Sequence, residues 1–382
     1  MQPLHLTYCL MLFCYSSNTS TRVLLSLYAL ELGAEAYAIG LLIATLYIVP
    51  VVLSWPVGSF SDRVGSRGLL LCGSFCAVVG LVIPYLVRSM PALYMAAALI
   101  GVSFCLYNVL LQNLVGLLSP AEDRARNFSN SSLMGATATF VGPLFAGVAV
   151  DYSGSSAACL YVAGLSAIAA VLLLGWGKLL PGGSPQPPPA PNSRTTLLDR
   201  ELLRALLTSG LVQVGQDLYQ FYIPIYGHAA GLSGSAIGGV LASFALAAFV
   251  ARFGMPRLVA QLGAEKVLGY SFYLAALGFF LVPVFQHAVL LSLVSFIFGL
   301  GMGCGQPITT LLIFGRAMEG RSGATLGLRQ SVNYVMRVSA PVVFGSVASV
   351  FGLLPVFWIN ACMMAAGGWL TRPDAKRDED GA

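Results

Sequence analysis

Apolar runs long enough to cross a bilayer recur twelve times along this chain, several of them interrupted by glycine or proline. A hydrocarbon core about 30 Å thick takes about 20 residues of helix, and membrane helices tolerate such interruptions. The runs predict spans near residues 6–30, 37–61, 68–87, 92–118, 127–150 and 156–179. Six more follow near 203–227, 234–256, 265–285, 288–315, 323–350 and 353–371. Between the two sets, residues 181–193 are proline-rich without apolar periodicity, which reads as an extended polar linker. The charged tail from Arg372 reads as disordered. The expected organisation is a six-helix bundle over 1–180, a linker over 181–198, a second six-helix bundle over 199–372 and a tail over 373–382.

The two halves are copies of one unit. A shift of 198 residues pairs Gly33 with Gly231, Gly40 with Gly238, Gly65 with Gly263 and Gly80 with Gly278. It also pairs Gly101 with Gly299, Gly147 with Gly345, Gly154 with Gly352, Pro143 with Pro341 and Tyr28 with Tyr226. Seven of the 16 glycines in residues 1–180 thus meet a glycine, where chance gives about two. In so apolar a chain, a two-fold repeat points to a secondary transporter whose substrate site lies between the halves.

Composition sharpens this. The 382 residues are 57% hydrophobic and 9% charged, with a mean hydropathy of +0.81. Soluble domains carry about 25% charged residues, so lipid must be the solvent for much of this surface. The net charge of +5 comes from basic residues spread over short loops, which leaves no nucleic-acid footprint. Eight cysteines and three histidines are scattered without ligand spacing, so no metal or other cofactor is expected. The N-terminus lacks a basic n-region and a cleavage site, and reads as a first span. Arg63, Arg67, Arg124, Arg126, Lys178, Arg252, Arg257, Arg316 and Arg321 fall in even-numbered loops, whereas odd-numbered loops hold only Arg88. The positive-inside rule then makes the even loops, the linker and both termini cytoplasmic, in a multi-pass protein of the inner (plasma) membrane.

The loop between the second and third spans reads Gly58-Ser59-Phe60-Ser61-Asp62-Arg63-Val64-Gly65-Ser66-Arg67. Gly65 suits a tight turn, Gly58 suits close helix approach, and Asp62 can cap a helix N-terminus or pair with arginine. This segment resembles the signature motif of the major facilitator superfamily, and the twelve spans, linker and duplication match that family end to end. The resemblance implies an all-α membrane fold of twelve transmembrane helices in two pseudo-symmetric six-helix bundles, working by alternating access. It further implies that Asp62 engages the cytoplasmic end of span eleven, with Glu122 or Asp123 as partners of Arg63 and Arg67. The second copy departs from the motif, because Ala260 and Gln261 stand where Asp62 and Arg63 do.

Span five carries Gly142-Pro143-Leu144-Phe145-Ala146-Gly147, a kink and a close-packing site. It is similar to the motif of proton-antiporting drug and metabolite exporters in that superfamily, although Ala146 replaces one glycine of the usual pair. Such exporters often carry a basic residue in span four, which here contains no charge and has Asn108 and Gln112 among its polar positions. The run Gly299-x-Gly-x-Gly-x-Gly305 lacks the GK[ST] of a phosphate loop and reads as helix packing.

Polar side chains inside spans avoid lipid, so their spacing marks the face turned to water or protein. Tyr15, Asn18 and Arg22 share one face of span one; Gln213, Gln216, Asp217 and Gln220 share the equivalent face of span seven. Span eleven adds Gln330, Asn333, Tyr334 and Arg337, and Asn108 and Gln112 map onto Gln306 and Thr310 of span ten. These residues are expected to line a polar substrate chamber. Its charges are Arg22, Arg337 and Asp217, and two readings stand: an ion pair locking the bundles, or a proton carrier beside an arginine for the substrate. The net positive charge favours an anionic or zwitterionic solute, and Asp217 is the candidate proton carrier. The expected function is export of a small amphipathic anion or zwitterion (a metabolite, siderophore-like or drug-like compound) by a proton-coupled monomer. Proton-coupled uptake of an organic anion is the second reading. A membrane-embedded enzyme or sensor is disfavoured, because no catalytic constellation and no effector domain appears.

Overall fold

The computed structural model describes residues 2–34, 36–182, 200–232, 234–317 and 321–371. Nearly all of the expected linker and the whole tail lie outside the described residues. The helices are α1 (Pro3–Glu31), α2 (Ala36–Val64), α3 (Ser66–Leu86), α4 (Met90–Leu117), α5 (Arg124–Trp176) and α6 (Arg200–Ala229). They continue with α7 (Gly234–Leu262), α8 (Ala264–Leu281), α9 (Ala288–Gly303), α10 (Gly305–Gly315), α11 (Ser322–Phe351) and α12 (Leu353–Leu370). The described residues form no β-strand.

Glycines punctuate this order. Straight, the 53 residues of α5 would run about 80 Å, far beyond a bilayer core. Gly154, at φ 77° and ψ 161°, breaks α5 into the two legs expected as spans five and six. Its mate Gly352, at φ 82°, separates α11 from α12. The other positive-φ glycines among the described residues are Gly33 with Gly231 and Gly65 with Gly263, which end or divide helices at equivalent points. All six thus fall into three pairs at the 198-residue shift, so the duplication is visible in the backbone as well as in the sequence.

Span ten departs from its mate. The equivalent α4 is unbroken, but Cys304 separates α9 from α10. Pro307 has no N–H to give the Gly303 carbonyl four residues back. Arg252 of α7 supplies the missing donor, Nε to Gly303 O at 3.2 Å. Arg252 therefore lies inside a helix and not in the loop assigned to it. The four glycines flanking the break each admit a neighbour. A Cβ at Gly299 would meet the Phe244 carbonyl at 2.5 Å, at Gly303 the Ala248 Cα at 2.6 Å, at Gly301 the Ser271 carbonyl at 2.7 Å, and at Gly305 the Val212 side chain at 2.7 Å.

Eight helices among the described residues are long and apolar enough to cross a membrane. Helices α1, α6 and α11 are not among them, although they run 29, 30 and 30 residues. These three carry most of the polar positions singled out above, which lowers their hydropathy and makes full lipid exposure costly.

The chain forms two compact units. The first holds α1–α4, most of α5 and the start of α11 through Tyr334, around a core that includes Leu24, Tyr28, Leu42, Leu81, Leu93 and Ile100. The second holds α6–α10, α11 from Val335 onward, α12 and residues 128–130, around Val212, Tyr219, Phe272, Phe298, Ile308 and Phe357.

Candidate functional site

In the first unit, α4 and the start of α11 meet through a ladder of side chains. Gln112 Oε1 accepts from Arg329 Nη1 at 3.1 Å, and Asn108 Oδ1 accepts from Gln330 Nε2 at 3.5 Å. One turn further, the Phe104 and Tyr334 rings meet at 5.9 Å. The contacts run down α4 from Gln112 to Phe104 as they run up α11 from Arg329 to Tyr334, the opposed order of antiparallel helices. Arg329, Gln330, Asn333 and Tyr334 are all buried. Tyr15 and Asn18 of α1 behave differently: the Tyr15 ring lies near Gly135 of α5, and buried Asn18 donates to the Cys14 carbonyl of its own helix at 2.9 Å. Arg22 is exposed, with its guanidinium 5.6 Å from the Tyr47 ring centroid.

At the other end of this unit, Asp62 accepts from the Gly323 and Ala324 backbone N–H groups, both at 2.9 Å. These are orphan donors of the first turn of α11, where a carboxylate also meets the positive end of the helix dipole. Glycine makes the approach possible: a Cβ at Gly58 would strike the Gly323 carbonyl, and one at Gly327 would strike the Ser54 carbonyl. Gly65 provides the positive φ between α2 and α3. Arg63 is exposed, and Arg67 lies against Gly177. The acid partners expected for these arginines are not seen among the described residues; Asp123 pairs with Arg126 at 3.1 Å, one helical turn away in sequence, and Glu122 is exposed.

The α1–α5 seam is also tight. Ser20 Oγ donates to the Gly142 carbonyl at 2.7 Å and Thr19 Oγ1 to the Ala138 carbonyl at 2.8 Å, and a Cβ at Gly142 would strike Thr19. Pro143 stands beside this contact inside α5.

The second unit gathers its polar residues around one carboxylate. Asp217 of α6 accepts from Arg337 of α11 at both oxygens, Nη2 to Oδ1 at 2.8 Å and Nε to Oδ2 at 2.9 Å. Gln213 Nε2 also donates to Oδ2, at 2.8 Å, and Gln306 Nε2 reaches Gln213 Oε1 at 3.0 Å. Thr310 sits one turn beyond Gln306 and donates to its carbonyl. Gln216 Nε2 donates to the Met302 carbonyl at 2.8 Å, beside the break in span ten. Gln220, the mate of Arg22, is exposed. The fork-on-carboxylate geometry is the strong, orientation-specific form of ion pairing. Both partners belong to the second unit, so the pair lies within one unit rather than locking two bundles. The side chains retain 19% exposure at Asp217 and 31% at Arg337, enough for water or a solute to reach them.

Sequence reasoning passed over Arg329, 1% exposed, because it stands near the start of span eleven, where a basic residue reads as a loop anchor. The signal was present: Arg329, Asn333 and Arg337 follow at i, i+4 and i+8, one stripe of a helix. Tyr47 and Phe104 were also missed, because aromatics in apolar spans carry no pattern of their own.

The sequence matches the Major Facilitator Superfamily profile over residues 7–341 and again over 228–382. It is 23% identical over 360 residues to the multidrug resistance protein MdtG of Klebsiella pneumoniae (strain 342), covering 88% of this chain and 84% of that protein. The MdtG protein of Enterobacter lignolyticus is 22% identical over 357 residues, covering 89% and 84%. Among solved structures, the transporter FucP in its outward conformation superposes with a TM-score of 0.80 and the human organic anion transporter MFSD10 with 0.78. Each is 15% identical and covered to 98%, with 97% of this chain matched.

Proposed function

From the premise that this chain belongs to the Major Facilitator Superfamily, a family of transporters and not enzymes, we propose that it is a proton-coupled exporter of a small amphipathic zwitterion. In this reading twelve spans form two bundles that alternate access, the protein works as a monomer, and both termini lie on the cytoplasmic side of the inner membrane. The count is supported by the break of α5 into two legs at Gly154 and by α9 and α10 together filling the run expected as span ten. Asp62 steadies one conformation by capping α11. The polar positions from Tyr15 to Arg337 form the substrate path, and Asp217 carries the proton. Export is supported by the resemblance to proteins named for multidrug resistance and by the Gly142-Pro143 segment.

The observation that carries the coupling is the Asp217–Arg337 pair. Antiport requires proton and substrate to compete. A zwitterion meets this condition: its ammonium takes the Asp217 carboxylate while its acid takes Arg337, and a proton on Asp217 displaces it. A simple anion gives the opposite sign. Protonating Asp217 frees Arg337, so proton and anion bind together, which is the logic of symport. The same pair thus favours uptake as the second reading if the substrate has no cationic group. Reconstituted protein with an imposed pH gradient separates the two. Export predicts that substrate moves against the proton flow, and co-directional movement would replace it with symport.

A further inference from the structure

We propose that Arg22, Tyr47, Phe104 and Tyr334 form a binding site for an aromatic acid, distinct from the Asp217–Arg337 pair, with the ring of the ligand on the aromatic group and its acid on Arg22. The inference rests on the reading that the substrate is small and amphipathic with an anionic group. Four helices of the first unit converge here: α1, α2, α4 and α11. The three rings touch pairwise, Tyr47 with Phe104 at 6.1 Å, Tyr47 with Tyr334 at 6.3 Å and Phe104 with Tyr334 at 5.9 Å. Edge-to-face and offset contacts are the arrangements that aromatic rings prefer, and a ligand ring can join them at the part-exposed Tyr47 or Phe104.

The group is only part-buried. Tyr334 is 4% exposed, but Tyr47 and Phe104 are intermediate. Arg22 sits over the Tyr47 ring, exposed, within a helix of membrane-spanning length. A guanidinium at such a position is excluded from lipid, so its exposed side faces water or a polar solute. Its planar fork matches a carboxylate or sulfonate. One turn from the rings, the Asn108–Gln330 contact offers amides to any polar substituent on the ligand. A cation, an aromatic floor and an amide rung therefore follow one another in a single unit. Packing alone explains three clustered rings, but not an exposed arginine over one of them, Tyr47.

The test uses full-length protein in lipid nanodiscs and two probes of equal charge: 2-naphthoate and its saturated counterpart, decalin-2-carboxylate. Binding of naphthoate should exceed that of the saturated acid severalfold, up to about tenfold, the range that aromatic contacts supply. Phe104→Leu should erase that preference, and Arg22→Gln should weaken both acids. Where Phe104→Leu fails to fold, Tyr47→Leu serves the same purpose. Equal binding of the two acids, or a preference untouched by either leucine variant, overturns the site. Failure of this inference and failure of the transport reading are distinguishable. Naphthoate bound with the stated preference, by a protein that moves neither zwitterionic nor anionic solutes in response to a pH gradient, leaves the site standing and sinks the coupling. A gradient-driven non-aromatic acid, with naphthoate bound no better than its saturated counterpart, does the reverse.

Discussion

Thr19 and Thr139 in the first half occupy the positions of Asp217 and Arg337 in the second. Around Thr19 the α1–α5 seam is neutral and tight, closed by hydroxyl-to-carbonyl bonds against Gly142. Around Asp217 the seam between α6 and the second part of α11 is ionic, held by a two-toothed arginine fork and a glutamine. The mate of Gly142 is Ala340, so the ionic seam also lacks the glycine that closes the neutral one. The backbone punctuation stayed common, as the three positive-φ glycine pairs record, while the chemistry diverged. A duplicated scaffold can therefore keep one seam neutral and place a charged pair in the equivalent seam of the other copy.

The largest effect is expected at the ionic seam. Asp217→Asn should abolish gradient-driven flux while downhill exchange persists, as measured in proteoliposomes. It also leaves a part-buried guanidinium without its carboxylate. A cost of about 1–3 kcal/mol, reduced by the residual exposure of both side chains, should appear as a lower Tm. Unchanged accumulation in this variant would remove Asp217 from the coupling role. Grafting the first half's residues onto the second, Asp217→Thr with Arg337→Thr, should recover part of that stability but none of the coupling. Recovered coupling would mean that the charge difference between the halves is incidental.

Next comes the glycine seam at α11. Gly58→Val forces a side chain onto the Gly323 carbonyl, and overpacking of this kind costs about 1–3 kcal/mol. Transport should fall sharply, because the clash parts α2 from α11. Asp62→Asn is milder. It keeps one acceptor and loses the charge at the helix terminus, worth about 0.5–2 kcal/mol. Substrate affinity should hardly change, while spin-label distances or cysteine accessibility report a shift toward inward-open. A large loss of affinity with an unmoved conformational balance would contradict the gating role. Smallest is Thr19→Val, which removes one hydrogen bond and should lower stability by about 0.5–1.5 kcal/mol without touching coupling.

Much of this was readable from residue order. Glycine register revealed the duplication because a positive φ excludes other residues, so Gly65 and Gly263 had to remain. The stripes of α1, α6 and α11 were visible because polar groups in lipid are costly. The partner choices were not. Spacing placed Asp217 and two arginines in the spans, but only side-chain geometry gives Arg337 to Asp217 and leaves Arg22 on Tyr47. Arg329 escaped because a basic residue near a span end looks like an anchor until burial is known. The break at Cys304 was hidden for a related reason: a proline such as Pro307 is common enough in membrane helices to pass unnoticed, and Arg252, which donates to the Gly303 carbonyl, lies on another helix.

The most direct test of the ionic seam as the coupling site is the proton count itself. Proteoliposomes loaded with a pH-sensitive dye are given a substrate gradient and no pH gradient, once with wild-type protein and once with Asp217→Asn. The account predicts that substrate flow drives a pH change in the wild type, and that the variant moves substrate downhill with no accompanying proton signal. An equal pH change in both proteins would show that the proton travels elsewhere and would contradict the central claim.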